Sequence, residues 1–314
     1  MSESTKRWLR ILLSAGLLAL VIWFADWRAV IEVLRTVDPT WVAVAIGLAA
    51  ADRITLNYRW QVLLAARGVL ISFLRLFRVQ LAANFVGSFL PSSMGVDAVR
   101  IAALCRAGKP TALVIAATLV DRVTIVIATF LFGSVAILTL AQERIPLRIE
   151  RIVLISTLLV LVAGAAALLP QVRRRVRLSL LPRIPARVGA LVSAIADASL
   201  AFRRDGRTLA HVAGVTLVLF GLRILFAKVL GLACGIDIPF GTLALIMPIL
   251  WIFVMLPITI GGLGVQDVGY VALLALAGVG APVAVSMSLI EHIVTRVVSL
   301  PGAFLMGTSL AVRE

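Results

Sequence analysis

Phe89-Leu-Pro-Ser-Ser-Met-Gly-Val-Asp-Ala-Val-Arg100 decides how this chain is read, because Leu256-Pro-Ile-Thr-Ile-Gly-Gly-Leu-Gly-Val-Gln-Asp267 repeats its plan. Each stretch runs Leu-Pro, two residues of which the second carries a hydroxyl (Ser93, Thr259), one more apolar residue, then glycine (Gly95; Gly261, Gly262 and Gly264) and an aspartate (Asp97, Asp267). Pro91 and Pro257 stand 166 residues apart, about half of the 314-residue chain. Proline removes a backbone donor and glycine frees the backbone, so both stretches break a helix. Inside an apolar chain such a break survives only where protein or a water-filled cavity receives the freed polar groups. Two broken segments in corresponding halves point to a transporter site near mid-membrane.

Composition sets the class. Of the residues, 61% are hydrophobic and 14% charged, with mean hydropathy +1.09. Soluble domains carry about 25% charged residues, so the chain is expected to be an integral membrane protein. The net charge of +15 does not indicate nucleic acid, because the basic residues lie between hydrophobic spans, as cytoplasmic loops facing anionic headgroups do. Cys105 and Cys234 are isolated, and His211 and His292 are the only histidines. No disulfide framework, metal site or cofactor is expected.

Outward from the two breaks, the pattern predicts an all-α membrane domain over 1–314 built as an inverted-topology repeat, 1–150 and 151–314. It has about six spanning helices and two re-entrant helical hairpins. The spans are Leu9–Ala25 (a retained first helix behind Lys6, Arg7 and Arg10), a helix from Trp41 inward to Arg53, Arg59 and Arg67, Thr111–Ala141, Ile152–Leu169, Thr208–Ala233 and Val283–Leu310. Asp26–Pro39 is expected as an outer loop, and Asp52–Arg53 as an ion pair near the inner interface. The hairpins are Phe73 to about Lys109, entering from the cytoplasm, and Phe240–Val279, entering from outside, with Pro248 interrupting its first arm. A basic connector, 171–207, holds nine arginines between Arg173 and Arg207 against Asp197 and Asp205. It is the strongest orientation signal, placing both termini in the cytoplasm of a bacterial-type inner membrane. Val188–Phe202 within it has the apolar spacing of an interfacial amphipathic helix.

Asn57-Tyr-Arg-Trp60 with Leu63-Leu64, then Asn84, Leu90-Pro-Ser-Ser-Met-Gly-Val-Asp97, Arg100 and Asp121-Arg122 resemble the lysylphosphatidylglycerol synthetase transmembrane region, a flippase-like family. Leu256-Pro…Gly261-Gly-Leu-Gly-Val265 resembles its second signature. This chain departs from the family pattern at Val96, where a second glycine is usual, and at Gln266-Asp267, where Arg-Glu is usual. The resemblance implies the lipid-translocating part without the soluble synthetase, served by a separately encoded lipid-modifying enzyme. It does not carry over a particular lipid.

A translocator must give a polar headgroup a path lined by counter-charges, since a bare charge at the bilayer centre costs about 3 kcal/mol or more. The candidate substrate-binding residues are Asn84, Pro91, Ser93, Gly95, Asp97, Arg100, Asp121, Arg122, Pro257, Thr259, Gly261, Gly262, Gly264, Asp267, Glu291 and Arg296. Arg100, Arg122 and Arg296 suit a lipid phosphate through their planar forks. Asp97, Asp121, Asp267 and Glu291 would balance them or receive a cationic headgroup. Asp121–Arg122 also reads as a structural ion pair, and Arg223 and Lys228 as weaker candidates that snorkel or pair locally. The partners expected are membrane phospholipids and, at the connector, anionic headgroups. There is no Walker A motif, no clustered histidines and no G-x-S-x-G elbow, so no enzyme is expected. Two alternatives stay open: an ion- or proton-coupled carrier of a small anion, and a membrane-embedded enzyme acting on lipid-linked substrates.

Inversion has a direct consequence. Single cysteines at Ala102 and Ala281 are expected to react with an impermeant thiol reagent from opposite sides, position 102 from the cytoplasm and 281 from outside. Labelling of both from one side would rule the inverted arrangement out.

Overall fold

A computed structural model describes residues 26–87, 94–140, 147–168, 186–202, 205–255 and 264–309. All the secondary-structure elements among these residues are helices, with no strand. In chain order the helices are α1 (Trp27–Arg35), α2 (Pro39–Ala65), α3 (Phe73–Gly87), α4 (Met94–Arg106), α5 (Thr111–Leu140), α6 (Leu147–Leu168), α7 (Ala186–Ala201), α8 (Gly206–Ala233), α9 (Phe240–Met255), α10 (Val265–Ala275), α11 (Ala281–Ser299) and α12 (Pro301–Ser309). Four stretches are long and apolar enough to cross a bilayer: Pro39–Ala65, Thr111–Thr139, Gly206–Ala233 and Ala281–Leu305. The expected first span lies outside the described residues. α6, expected as a further span, exposes Ile155, Leu158, Leu159 and Val162, an apolar face suited to lipid.

α2 and α8 form the centre. They run antiparallel: the Asp38 N–H donates to the Ala233 carbonyl (3.1 Å) at one end, and Arg67 reaches Asp205 (3.2 Å) at the other. Between these ends Tyr58 bonds His211 (3.0 Å) and Arg223 bonds Asp52 (2.7 Å). Local chemistry sets the helix ends. Asp38 caps α2 by accepting from the Thr40 N–H (2.8 Å), with Pro39 preset at the first turn. Asp205 caps α8, accepting from the Thr208 N–H (3.1 Å). These Thr208 bonds and Arg67 hold its carboxyl below the ordinary range. Gly68 and Gly235, both with φ of 77°, end α2 and α8, and Gly108 (73°) and Gly278 (76°) end α4 and α10. At each the next N–H turns back to a carbonyl five residues earlier (Val69 to Leu64, Lys109 to Leu104, Ile236 to Gly231, Val279 to Leu274), a left-handed cap that only glycine adopts without cost.

On this centre the short helices pack in pairs, α3 with α4 and α9 with α10. α3 has 15 residues, α4 13, α9 16 and α10 11. At 1.5 Å per residue the described part of each is shorter than about 30 Å of hydrocarbon. α3 then packs on α12, and α9 on α5. Both crossings use a glycine. A Cβ on Gly302 would lie 2.2 Å from the Leu81 carbonyl oxygen, and one on Gly133 3.3 Å from the Pro248 Cβ.

Several expectations are corrected. The outer loop after Asp26 contains α1, because Asp26 accepts from the Arg28 and Ala29 N–H groups (3.1 and 3.3 Å) and Val30 buries against Val285. Pro248 does not interrupt α9; the helix continues, and the proline ring sits against Gly133. The last helix is two, α11 and α12, since Pro301 supplies no N–H at the junction. α7 is not only interfacial, because it packs on α5 and Phe202 behind it is buried.

The close crossing generates a prediction. Gly302→Ala drives a methyl into backbone and is expected to destabilise the protein by about 1–3 kcal/mol. Gly214→Ala, with open space around its Cβ position, is expected to be neutral or stabilising by up to about 1 kcal/mol. Thermal unfolding in detergent reads both, and equal midpoints would refute the crossing.

Candidate functional site: two charged clusters behind the short helices

The first cluster joins α2, α4 and α5. Arg59, with no exposed surface, lies 3.1 Å from the Asp121 carboxylate and donates to the Asp121 carbonyl (3.1 Å) and the Thr124 hydroxyl (2.6 Å). Asp97, in the first turn of α4, accepts from Arg122 and sits 3.3 Å from Arg100. The Arg100 guanidinium lies 3.8 Å from the Trp60 ring centre, and the Trp60 N–H donates to Thr118 (3.2 Å). Three arginines thus face two aspartates. Arg100 is 5% exposed, and its Nε and Nη2 have no hydrogen-bond partner among the described residues. A buried donor left unmade costs about 1–3 kcal/mol, more when charged, so these two N–H groups call for an acceptor that the described residues do not supply.

The second cluster joins α10 and α11. Asp267 takes three bonds: from the Gly264 N–H (2.9 Å), the Ser288 hydroxyl (2.6 Å) and His292 Nε2 (3.2 Å). Gly264, at φ 83°, turns the chain into α10. Tyr270 donates its hydroxyl to Glu291. Next to this pair a cavity of about 180 Å³ opens between α2, α8, α9, α10 and α11. Asp52, Arg53, Arg223, Trp251, Tyr270 and Glu291 are on its wall.

The structure therefore collects Asp97, Arg100, Asp121 and Arg122 in one place, and Gly264, Asp267 and Glu291 in another. The adjacent Asp121 and Arg122 form no pair with each other; each engages a different helix. Gly95 sits in the first turn of α4. Asn84, on α3, accepts from Gln80 (3.1 Å). Arg296 is exposed in the last turn of α11, where a cation suits the helix dipole. Pro91, Ser93, Pro257, Thr259, Gly261 and Gly262 lie outside the described residues. Asp52 does approach Arg53 (3.6 Å), but its shorter bond is to Arg223 (2.7 Å) across the helix pair. Lys228 pairs locally with Asp237. Sequence reading missed Arg59 as a site residue and underrated Arg223. The available signal for Arg59 was its place between Tyr58 and Trp60 on an apolar helix, too far into the span to be a loop charge.

Short paired helices around buried ionic clusters, held by long apolar helices, define a multi-pass helical membrane protein. The chain belongs to the family described as lysylphosphatidylglycerol synthase TM region, whose profile matches residues 7–302. This is a membrane-protein family linked to lipid handling. A comparison with curated proteins returns no match.

Breaking a buried pair leaves an uncompensated charge and costs about 3–5 kcal/mol. Asp121→Leu and Arg59→Met singly are each expected to destabilise by that amount. The double variant is expected to recover most of the loss, since replacing both partners with apolar groups is often near neutral. A thermal double-mutant cycle checks this; additive losses would show that the two residues do not depend on each other.

Proposed function

We propose that this protein translocates a lipid bearing a phosphate in its headgroup, along a path that passes the two charged clusters while the acyl tails stay in hydrocarbon. The observation that carries this reading is Arg100: a buried guanidinium in α4, stacked on Trp60, with two N–H groups that have no acceptor among the described residues. Phosphate oxygens match those donors in geometry and charge. The family's link to lipid handling supports the same class of substrate.

The architecture proposed is an inverted repeat with two re-entrant helix pairs. Four features support it. Corresponding helices start at a near-constant offset: Pro39 and Gly206, Phe73 and Phe240, Thr111 and Ala281. The glycine caps recur at matching positions, Gly68 with Gly235 and Gly108 with Gly278. The equivalent helices α2 and α8 pack on each other antiparallel. The two glycine crossings are reciprocal, α3 meeting Gly302 of the second half and α9 meeting Gly133 of the first. In such folds a fixed central site is exposed alternately as one bundle rocks against the other.

A small soluble anion is the second reading, favoured by the modest size of the cavity. Both readings make the protein a carrier and not an enzyme, and both fit a bacterial-type inner membrane.

Proteoliposomes carrying headgroup-labelled phosphatidylglycerol and an impermeant quencher test the lipid reading. Wild-type protein is expected to bring inner-leaflet label to the quencher faster than empty vesicles, and Arg100→Ala to reduce that rate at least tenfold. Crossing that survives the substitution would move the path away from the first cluster. No crossing, with and without an imposed proton gradient, would favour the soluble anion.

A further inference from the structure

The two clusters correspond position by position and differ in one physical respect. Counting 170 residues onward from Asp97, Arg100, Thr118, Asp121 and Arg122 reaches Asp267, Tyr270, Ser288, Glu291 and His292. The aspartate near the start of the short helix is kept, and so is its bond to the long helix behind: Asp97 to Arg122, and Asp267 to His292. Where the first cluster has the guanidinium groups of Arg100 and Arg122, the second has the Tyr270 phenol and the His292 imidazole.

The same comparison across α2 and α8, at an offset of 167, sets Arg59 against Phe226 and Trp60 against Ala227. Trp60 is fully buried and fills the first cluster. Phe226 and Ala227 instead line the cavity beside the second. Where one half places an indole, the other has an alanine and a hole.

Four charged side chains share that hole. Arg223 and Arg53 both face Asp52, at 2.7 and 3.6 Å, and Glu291 accepts from Tyr270 with no ion pair among the described residues. With both carboxylates ionised the four sum to zero. An entering anion would leave one uncompensated negative charge inside a poorly solvated space. The carboxylate not bound to an arginine, Glu291, is the one that relieves it by taking a proton.

We infer that this cavity binds a phosphodiester monoanion together with one proton, the anion on Arg53 and Arg223 and the proton on Glu291. The inference deepens the translocator reading and rests on it. A proton from water joins a Glu291 carboxylate oxygen, and no bond in the ligand forms or breaks. The protonated carboxyl then donates where it had accepted, to the Tyr270 oxygen or to the anion. The titratable and charged groups around Glu291 are Tyr270 and, behind it, Asp267 on α10; His292 on its own helix; Arg223 on α8; and Asp52 and Arg53 on α2. α9 contributes Trp251, which does not titrate. The charged residues of α1 and α3 described here (Arg28, Glu32, Arg35, Arg75, Arg78) are exposed, and α12 carries none. Coupled uptake would let a proton gradient drive the anion without nucleotide hydrolysis.

Calorimetric titration of the full chain in detergent tests this, with dihexanoyl phosphatidylglycerol and dimethyl phosphate as separate probes. Neither probe titrates near neutral pH. In buffers of different ionisation enthalpy the wild type is expected to take up about one proton per anion, with affinity falling up to about tenfold per pH unit above the range where Glu291 ionises. Glu291→Gln is expected to bind with buffer-independent heat. Ala227→Trp, which places an indole where the other half already holds one, is expected to weaken binding at least tenfold while keeping the wild-type thermal midpoint. Binding of the lipid alone would assign a headgroup, and binding of both a free phosphodiester as well. Wild-type binding with buffer-independent heat would overturn the proton and leave the lipid reading standing. Undiminished binding in Ala227→Trp, or binding of neither probe, would overturn the cavity as the site, while headgroup crossing in Arg100→Ala decides the lipid reading separately.

Discussion

A guanidinium with no exposed surface must be neutralised where it stands, and Arg59 imposes that condition on the whole first half. It sits about three-quarters of the way along α2, in a span whose surroundings solvate charge poorly. Its neutralisation requires Asp121, which fixes the rotation of α5 against α2. Asp121 and Arg122 are neighbours about 100° apart on the helix, so once Asp121 faces Arg59, Arg122 faces the start of α4. Asp97 is the group found there, and it in turn holds Arg100 against Trp60. One buried cation thereby orders three helices and the residue just beyond the first break. Such an arrangement is poor evidence for stability, since an apolar core of the same volume would do as well.

The antiparallel contact of α2 and α8 is the second constraint. Four polar contacts, from Asp38–Ala233 to Arg67–Asp205, set one register over its full length. Both helix pairs and both long helices are arranged around that axis. Asp52 and Arg223 meet on it, and both line the cavity beside Glu291. In the proposed repeat this is where relative motion of the halves would open or close a site, and ion pairs that span the seam are the groups such motion exchanges.

Much of this was legible before any coordinates. Hydropathy and charge separate the spans from the loops, and the paired Leu-Pro…Gly…Asp stretches locate the short helices. Asp97, Arg100, Asp121, Arg122, Asp267 and Glu291 stand out as charges where hydrocarbon is expected. Local signals overreached at Pro248, where a proline in a helix reads as a break. The structure keeps the helix because Gly133 leaves room for the ring. They fell short at α1, whose capping aspartate and apolar face lie in a stretch too brief to weigh against its charges.

What the sequence by itself determined is the class of molecule, the approximate helix limits and the inventory of intramembrane charges, because these follow from composition and from spacings within a few residues. Pairing is different in kind. That Asp121 answers Arg59 and not Arg122, that Asp52 answers Arg223, and that Arg296 stands apart from both clusters depend on the rotation and register of helices far apart in the chain. Those are set by packing, above all by the α2–α8 seam and the two glycine crossings. The cavity was the least legible feature, since it comes from an alanine at position 227 whose meaning appears only beside Trp60 in the other half.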